Sequence, residues 1–122
     1  MTSVLVIDDD PTFRALAVRM IERLGLSVVG EADTVEAAGV AARKLRPQAA
    51  LVDVALPDGS GVNLAVELAA LPWGPRIVLT SNDRAAVTEA LVRSSGAAAF
   101  IAKEDLPDGG LGAMLTGQAH RE

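Results

Sequence analysis

At 122 residues, half of them hydrophobic, the chain is sized for one domain with a single packed core. Its net charge of −5 argues against direct contact with nucleic acid or an anionic membrane, both of which call for clustered Lys and Arg. There is no cysteine, which excludes disulfide frameworks and thiolate zinc sites, and no basic leader or apolar run near ~18 residues, so the expected location is the cytoplasm.

Apolar, β-branched runs punctuate the chain at intervals that each leave room for one helix. The first, at 4–7 (VLVI), is followed by Asp10 and Pro11, an N-cap and a first helical residue. Phe13, Leu16, Ala17, Met20, Ile21 and Leu24 then recur at helical spacing before Gly25, a stripe expected to face the sheet. After the second run, at 27–30 (SVVG), Asp33 with Glu36 resembles a capping box for a helix that closes before Pro47. The third run is 49–52 (AALV); Ser60 then caps a helix to about Leu71, where Pro72 stops it. The fourth is 76–80 (RIVLT), with Asp83 as the expected cap of a helix ending at Gly96. The fifth, 97–102 (AAAFIA), leads into a Gly- and Pro-rich end where only about Leu111 to Thr116 can be helical. The polar tail, 118–122, is set apart from a domain at 1–117.

Runs one, three and four are apolar without alternation, as strands covered on both faces must be, which predicts an α/β fold: a doubly wound, five-stranded parallel sheet, (βα)5, with a short or irregular last helix. Aromatic residues are confined to Phe13, Trp73 and Phe100, so the core is built from aliphatic side chains and no stacking platform for bases is expected. Trp73, between Pro72 and Pro75, reads as a loop anchor.

In open parallel sheets, sites form beyond the carboxyl ends of the strands. Those ends carry Asp8, Asp9 and Asp10 after the first strand, Asp53 after the third, Thr80 and Ser81 at the fourth, and Lys103 at the fifth. Two carboxylates about 4 Å apart repel by roughly 4 kcal/mol at an effective dielectric near 20. Asp8, Asp9 and Asp53 therefore require a cation or a retained proton, and Lys103 alone does not balance three acids. Oxygen donors without a nearby histidine favour Mg²⁺ over zinc, and Mg²⁺ with a lysine and a hydroxyl suits a phosphoryl group.

With these residues in place, the chain resembles the receiver domain of bacterial response regulators. The matching pieces are Val6-Ile7-Asp8-Asp9-Asp10-Pro11 with Arg14, Leu51-Val52-Asp53-Val54-Ala55-Leu56-Pro57-Asp58-Gly59-Ser60-Gly61, Val78-Leu79-Thr80-Ser81 and Phe100-Ile101-Ala102-Lys103. The resemblance implies the flavodoxin-like strand order 2-1-3-4-5 and a phosphoacceptor module of two-component signalling, not an enzyme beyond self-phosphorylation and self-dephosphorylation. It implies Asp53 as the phosphoacceptor, Mg²⁺ ligated by Asp9, Asp53 and the backbone carbonyl of Ala55 with Asp8 on a bound water, and Thr80 and Lys103 on phosphoryl oxygens. Thr80 and Phe100 would form the switch. The implied partners are a sensor histidine kinase or phosphotransfer protein, a downstream protein or output domain, and a second copy in a phosphorylation-dependent homodimer. The resemblance also implies that Ala55 and Asn82 flank the path of attacking water, Ala55 admitting it and Asn82 only modestly orienting it, with a phosphoryl lifetime of no more than minutes expected.

A second reading is a small haloacid-dehalogenase-like phosphohydrolase, whose D-x-D-x-T motif Asp8-Asp9-Asp10-Pro11-Thr12 also satisfies, with Asp8 as nucleophile and Asp10 as general acid/base. It needs further metal-binding acids on a later strand, whereas Glu104, Asp105 and Asp108 sit in a Pro/Gly-rich loop, and it leaves Asp53 without a role. No glycine-rich nucleotide loop is present, and His120, the single histidine, lies in the tail, so a phosphohistidine donor must be another protein. The receiver pattern usually has Pro after the Lys. Here Glu104 follows, and a cis bond without proline costs about 2.5–4 kcal/mol, so a trans bond with a shifted loop, or local strain, is expected.

Overall fold

The computed structural model describes residues 1–107 and 110–117. The 118–122 tail with His120, as well as Asp108 and Gly109, lies outside the described residues.

Five parallel strands form the central sheet in the order β2-β1-β3-β6-β7: β1 Ser3–Ile7, β2 Ser27–Ala32, β3 Ala49–Asp53, β6 Arg76–Ser81 and β7 Ala99–Ala102. This is the flavodoxin-like order expected from the sequence. Between β3 and the helix α3 (Gly61–Ala69) the chain makes a two-residue-stranded hairpin, β4 Ala55–Leu56 and β5 Gly59–Ser60, too short to leave a periodic signal. The remaining helices are α1 Pro11–Arg23, α2 Val35–Leu45, α4 Glu89–Ser95 and α5 Leu111–Thr116, and a single 3₁₀ turn spans Lys103–Asp105.

Alternation along the strands sends side chains to two cores. Leu5, Ile7, Val52 and Leu79 meet Ala38 and Ala42 of α2 and Leu64 and Leu68 of α3 on one face. Val4, Val6, Leu51 and Val78 meet Ala17 and Ile21 of α1 and Leu111 and Leu115 of α5 on the other. Each buried aliphatic side chain contributes ~1.5–3 kcal/mol, and this two-sided burial holds the strand ends in register at one edge.

Asp10 caps α1, accepting from Thr12 N and Phe13 N, and Ser60 caps α3, accepting from Val62 N and Asn63 N. Three local readings are corrected. The α1 stripe is narrower than its periodicity suggests: Ala17 and Ile21 are buried, while Leu16 and Leu24 are 44% and 51% exposed. At α2 the cap is Thr34, not Asp33; its hydroxyl accepts from Ala37 N, and the carboxylate of Asp58, reaching across from the hairpin, accepts from Val35 N at 2.7 Å and Glu36 N at 3.1 Å. Two N–H groups of the first turn are thus satisfied from a distant loop. Asp83 does not start α4. Its side chain accepts from Ala85 N in a turn, and Thr88 caps the short helix instead. Trp73 is a loop anchor, its Nε1 donating to Pro47 O at 2.9 Å while the Arg46 guanidinium stacks 4.5 Å from its ring centroid.

Candidate functional site

The carboxyl ends of β1, β3 and β6 gather Asp8, Asp53, Thr80 and Ser81, each less than 9% exposed; among the described residues the one other buried polar residue is Ser95 of α4. Asp53 ends β3 and is paired in register with Thr80 on β6. Asp8 follows β1, where its N–H donates to Ala32 O at 3.0 Å. Ligand oxygens of Asp8, Asp9 and Asp53 lie within 4.8 Å of one another, with Asp9 exposed at the mouth.

Local backbone geometry aims each buried acid. Asp8 Oδ1 accepts from Asp10 N at 2.9 Å and Asp53 Oδ1 from Ala55 N at 3.0 Å, leaving both Oδ2 atoms for Lys103. The Lys103 ammonium stands 2.8 Å from Asp8 Oδ2 and 3.2 Å from Asp53 Oδ2, its side chain 8% exposed. Burial works to lower the Lys103 pKa, but the close ion pair with Asp8 and the charge of Asp53 outweigh it and hold the group above its ordinary value. Burial pushes the Asp8 carboxyl up, against the opposing pull of Lys103 and the Asp10 N–H, and the Asp53 charge adds to the rise.

The Thr80 hydroxyl is buried and its Oγ1 has no hydrogen-bond partner among the described residues. Leaving a buried hydroxyl without a partner costs ~1–3 kcal/mol. Ala55 opens the β4–β5 hairpin two residues beyond Asp53, and both it and Asn82 are exposed. Phe100 is half-buried on β7, opposite Leu79, the neighbour of Thr80. Gly61 is required by this arrangement: a Cβ there would stand 1.9 Å from the carbonyl oxygen of Asp53.

Sequence reasoning missed three supports. Phe13 places its ring 4.2 Å, centroid to Nζ, from the Lys103 ammonium. The Arg84 guanidinium pairs with Glu104 at 2.7 Å and with Asp105, tying the loop after β6 to the turn carrying Lys103. The bonds of that turn are trans, since the described residues contain no cis peptide. Arg14, quoted in the motif without a role, donates to Asp8 O at 2.7 Å and pairs with Glu31 at 2.9 Å. None of these contacts has a local signature except Arg14, four residues beyond the cap Asp10.

A family model, response regulator receiver domain, matches residues 4–109. The chain belongs to this family. The receiver is 30% identical over 100 residues to the transcriptional regulatory protein PdtaR of Mycobacterium tuberculosis, covering 82% of this chain and 48% of PdtaR. It thus spans about half the length of that regulator. Among solved structures, a LuxR-family two-component response regulator from Aurantimonas sp. superposes with a TM-score of 0.85 at 24% identity, over 97% of this chain and 87% of the other, a likeness of fold. A response regulator from Burkholderia pseudomallei, solved with a phosphorylated aspartic acid, a calcium ion and citrate, matches at 27% identity and TM-score 0.80, over 94% of this chain and 66% of the other. Receiver domains are signalling modules of two-component systems and not classical enzymes. Among the described residues no helix is long and apolar enough to cross a membrane.

Proposed function

We propose that this receiver is phosphorylated on Asp53 by a partner histidine kinase or phosphotransfer protein in a Mg²⁺-dependent reaction. The observation that carries the reading is the meeting of Asp53 with Asp8, Asp9 and Lys103 beside the unpaired Thr80 hydroxyl. The donor set fits the metal: oxygens alone, more negative charge than one ammonium neutralises, and an orphaned hydroxyl where a phosphoryl oxygen would go. Asp9, Asp53 and the Ala55 carbonyl would hold Mg²⁺, with Asp8 on a bound water. When bound, the ion neutralises charge on the phosphoryl oxygens.

The chain's own residues supply the rest. An Asp53 carboxylate oxygen attacks the phosphorus of a phosphohistidine; the P–O bond forms as the P–N bond breaks, and the departing imidazole nitrogen keeps the electron pair and takes a proton. Lys103 and Thr80 move from their resting environments onto separate phosphoryl oxygens. Thr80 shifts toward the phosphoryl group, and Phe100 turns inward to fill the space it leaves, so that phosphorylation alters a surface read by a downstream protein, an output domain or a second receiver. The Burkholderia pseudomallei regulator, solved with a phosphorylated aspartic acid and a calcium ion, supports this chemistry. The net charge assigns any DNA contact to another chain or domain, with the receiver working in the cytoplasm. Water reaching the phosphoryl group past exposed Ala55 and Asn82 limits its lifetime to minutes.

The phosphohydrolase reading is disfavoured by Asp10, its required acid/base, whose carboxylate is engaged as the α1 cap. Incubation with phosphoramidate and Mg²⁺ should add one phosphoryl group to wild type and none to Asp53→Asn. Equal labelling of both would refute the assignment, and label on Asp8 would restore the hydrolase.

A further inference from the structure

We propose that Phe13 is a positioning residue for phosphoryl transfer: the face of its ring holds the Lys103 ammonium in the site while the carboxylates beside it are taken up by other charges. This inference rests on the assignment of Asp53 and Lys103 given above. Its basis is the 4.2 Å separation between Nζ and the ring centroid, in a pocket where the Lys103 side chain is only 8% exposed.

The placement of the ring follows from the start of α1. Asp8 and Asp9 end the strand, Asp10 caps, Pro11 opens the helix, and Phe13 is its third residue. Because Asp10 Oδ1 accepts from Thr12 N at 3.0 Å and Phe13 N at 3.4 Å, the cap that turns the chain away from the acids also fixes the backbone beneath the ring. The ring is half-buried and packs against the core cluster that contains Val6, Ile101 and Leu106.

Three groups face the ammonium: Asp8 Oδ2, Asp53 Oδ2 and the Phe13 ring. Two of them change during the reaction, since Asp8 and Asp53 are the acids that a divalent cation and the incoming phosphorus draw upon. The ring does not. Its quadrupole attracts a cation, most strongly where water is excluded, yet it neither binds Mg²⁺ nor competes for phosphorus. As the carboxylates turn to other partners, Phe13 accounts for a growing share of what keeps the ammonium from swinging into solvent on its flexible stem, and the ammonium retains N–H donors for a phosphoryl oxygen. An aliphatic residue at 13 would fill the same core edge without this attraction.

The test separates the ring's electrostatics from its bulk. In metal-free protein the Lys103 ε-methylene protons should show an upfield ring-current shift that disappears in Phe13→Leu. With phosphoramidate and Mg²⁺, Phe13→Leu should label Asp53 about tenfold more slowly than wild type, with Mg²⁺ affinity unchanged. Replacing Phe13 by phenylalanines carrying one, two and three ring fluorines, which keep the shape and drain the quadrupole, should lower the rate stepwise. A flat rate across that near-isosteric series overturns the proposal even if Phe13→Leu fails to fold, and so does a wild-type rate in Phe13→Leu while Asp53→Asn remains unlabelled. Labelling of Asp53→Asn would instead overturn the phosphoacceptor assignment on which the inference rests.

Discussion

Asp8 and Asp53 are held in the same way, each offering Oδ1 to the backbone N–H two residues ahead and Oδ2 to the ammonium of Lys103. Two strands that sit side by side in the sheet thus end in matching turns, and one lysine from the 3₁₀ turn after β7 joins them. The acids are aimed by the protein's own contacts, which would remove part of the ordering cost of binding a ligand there.

Removal of the shared cation should expose the repulsion it suppresses. Lys103→Met is expected to lower metal-free stability by about 2 kcal/mol, less than the loss for a fully enclosed pair because the pocket opens past Asp9. Mg²⁺ should restore much of that deficit, and in wild type it should raise stability by ~2.7 kcal/mol at 100 times its Kd. Urea unfolding with and without Mg²⁺ measures both. A Lys103→Met protein as stable as wild type in EDTA would contradict the ion-pair account.

The pH response should carry opposite signs at two aspartates. The Val35 N–H, followed by that of Glu36, holds Asp58 below its ordinary 3.8, so its capping contribution is full above that value and fades as pH falls toward the lower folded one. Asp8 is raised, mainly by burial. Its contribution is full below 3.8 and is lost as pH rises through the elevated folded value in metal-free protein. The difference in thermal midpoint between wild type and Asp58→Asn should therefore shrink on acidification below 3.8, and a pH-independent difference would rule the cap out.

Gly61→Ala should be severe for the addition of one methyl group. The added Cβ would meet Asp53 O at 1.9 Å and Val54 Cα at 2.8 Å, backbone atoms that cannot move without displacing the Asp53 carboxylate. A loss of about 3 kcal/mol by urea denaturation, with weakened Mg²⁺ binding, is expected. Wild-type stability and affinity would show that the hairpin yields at no cost.

Arg84→Ala should loosen a loop without unfolding the protein. The guanidinium links Glu104 and Asp105 to the β6–α4 connection, but all three side chains are exposed, and such pairs add little global stability. Hydrogen exchange at residues 103–106 should accelerate, more at low salt than at 1 M, while the urea midpoint stays nearly constant. Unchanged protection across that segment would remove the clasp from the picture.

Much of this was legible one residue at a time. Asp10 before Pro11 and Ser60 before Gly61 are caps in sequence and in structure, because capping is settled within a few residues. The unbroken runs of β1 and β3 announced strands buried on both faces, and the residues after them are the buried acids. Asp33 and Asp83 misled for the complementary reason. Beside each stood another competent cap, Thr34 or Thr88, and at α2 the remaining N–H groups were satisfied by Asp58 from a hairpin 23 residues away.

The sequence by itself determined the element types, the two-sided sheet and the set of residues at its carboxyl edge, since periodicity, proline and capping chemistry act over a single turn or strand. Only the tertiary structure decided that Phe13 stands over Lys103, that Arg84 takes Glu104 where the receiver pattern usually has proline, and that Asp58 caps a helix it does not belong to. Strand order and register bring those side chains together, and no local pattern encodes which distant loops will meet.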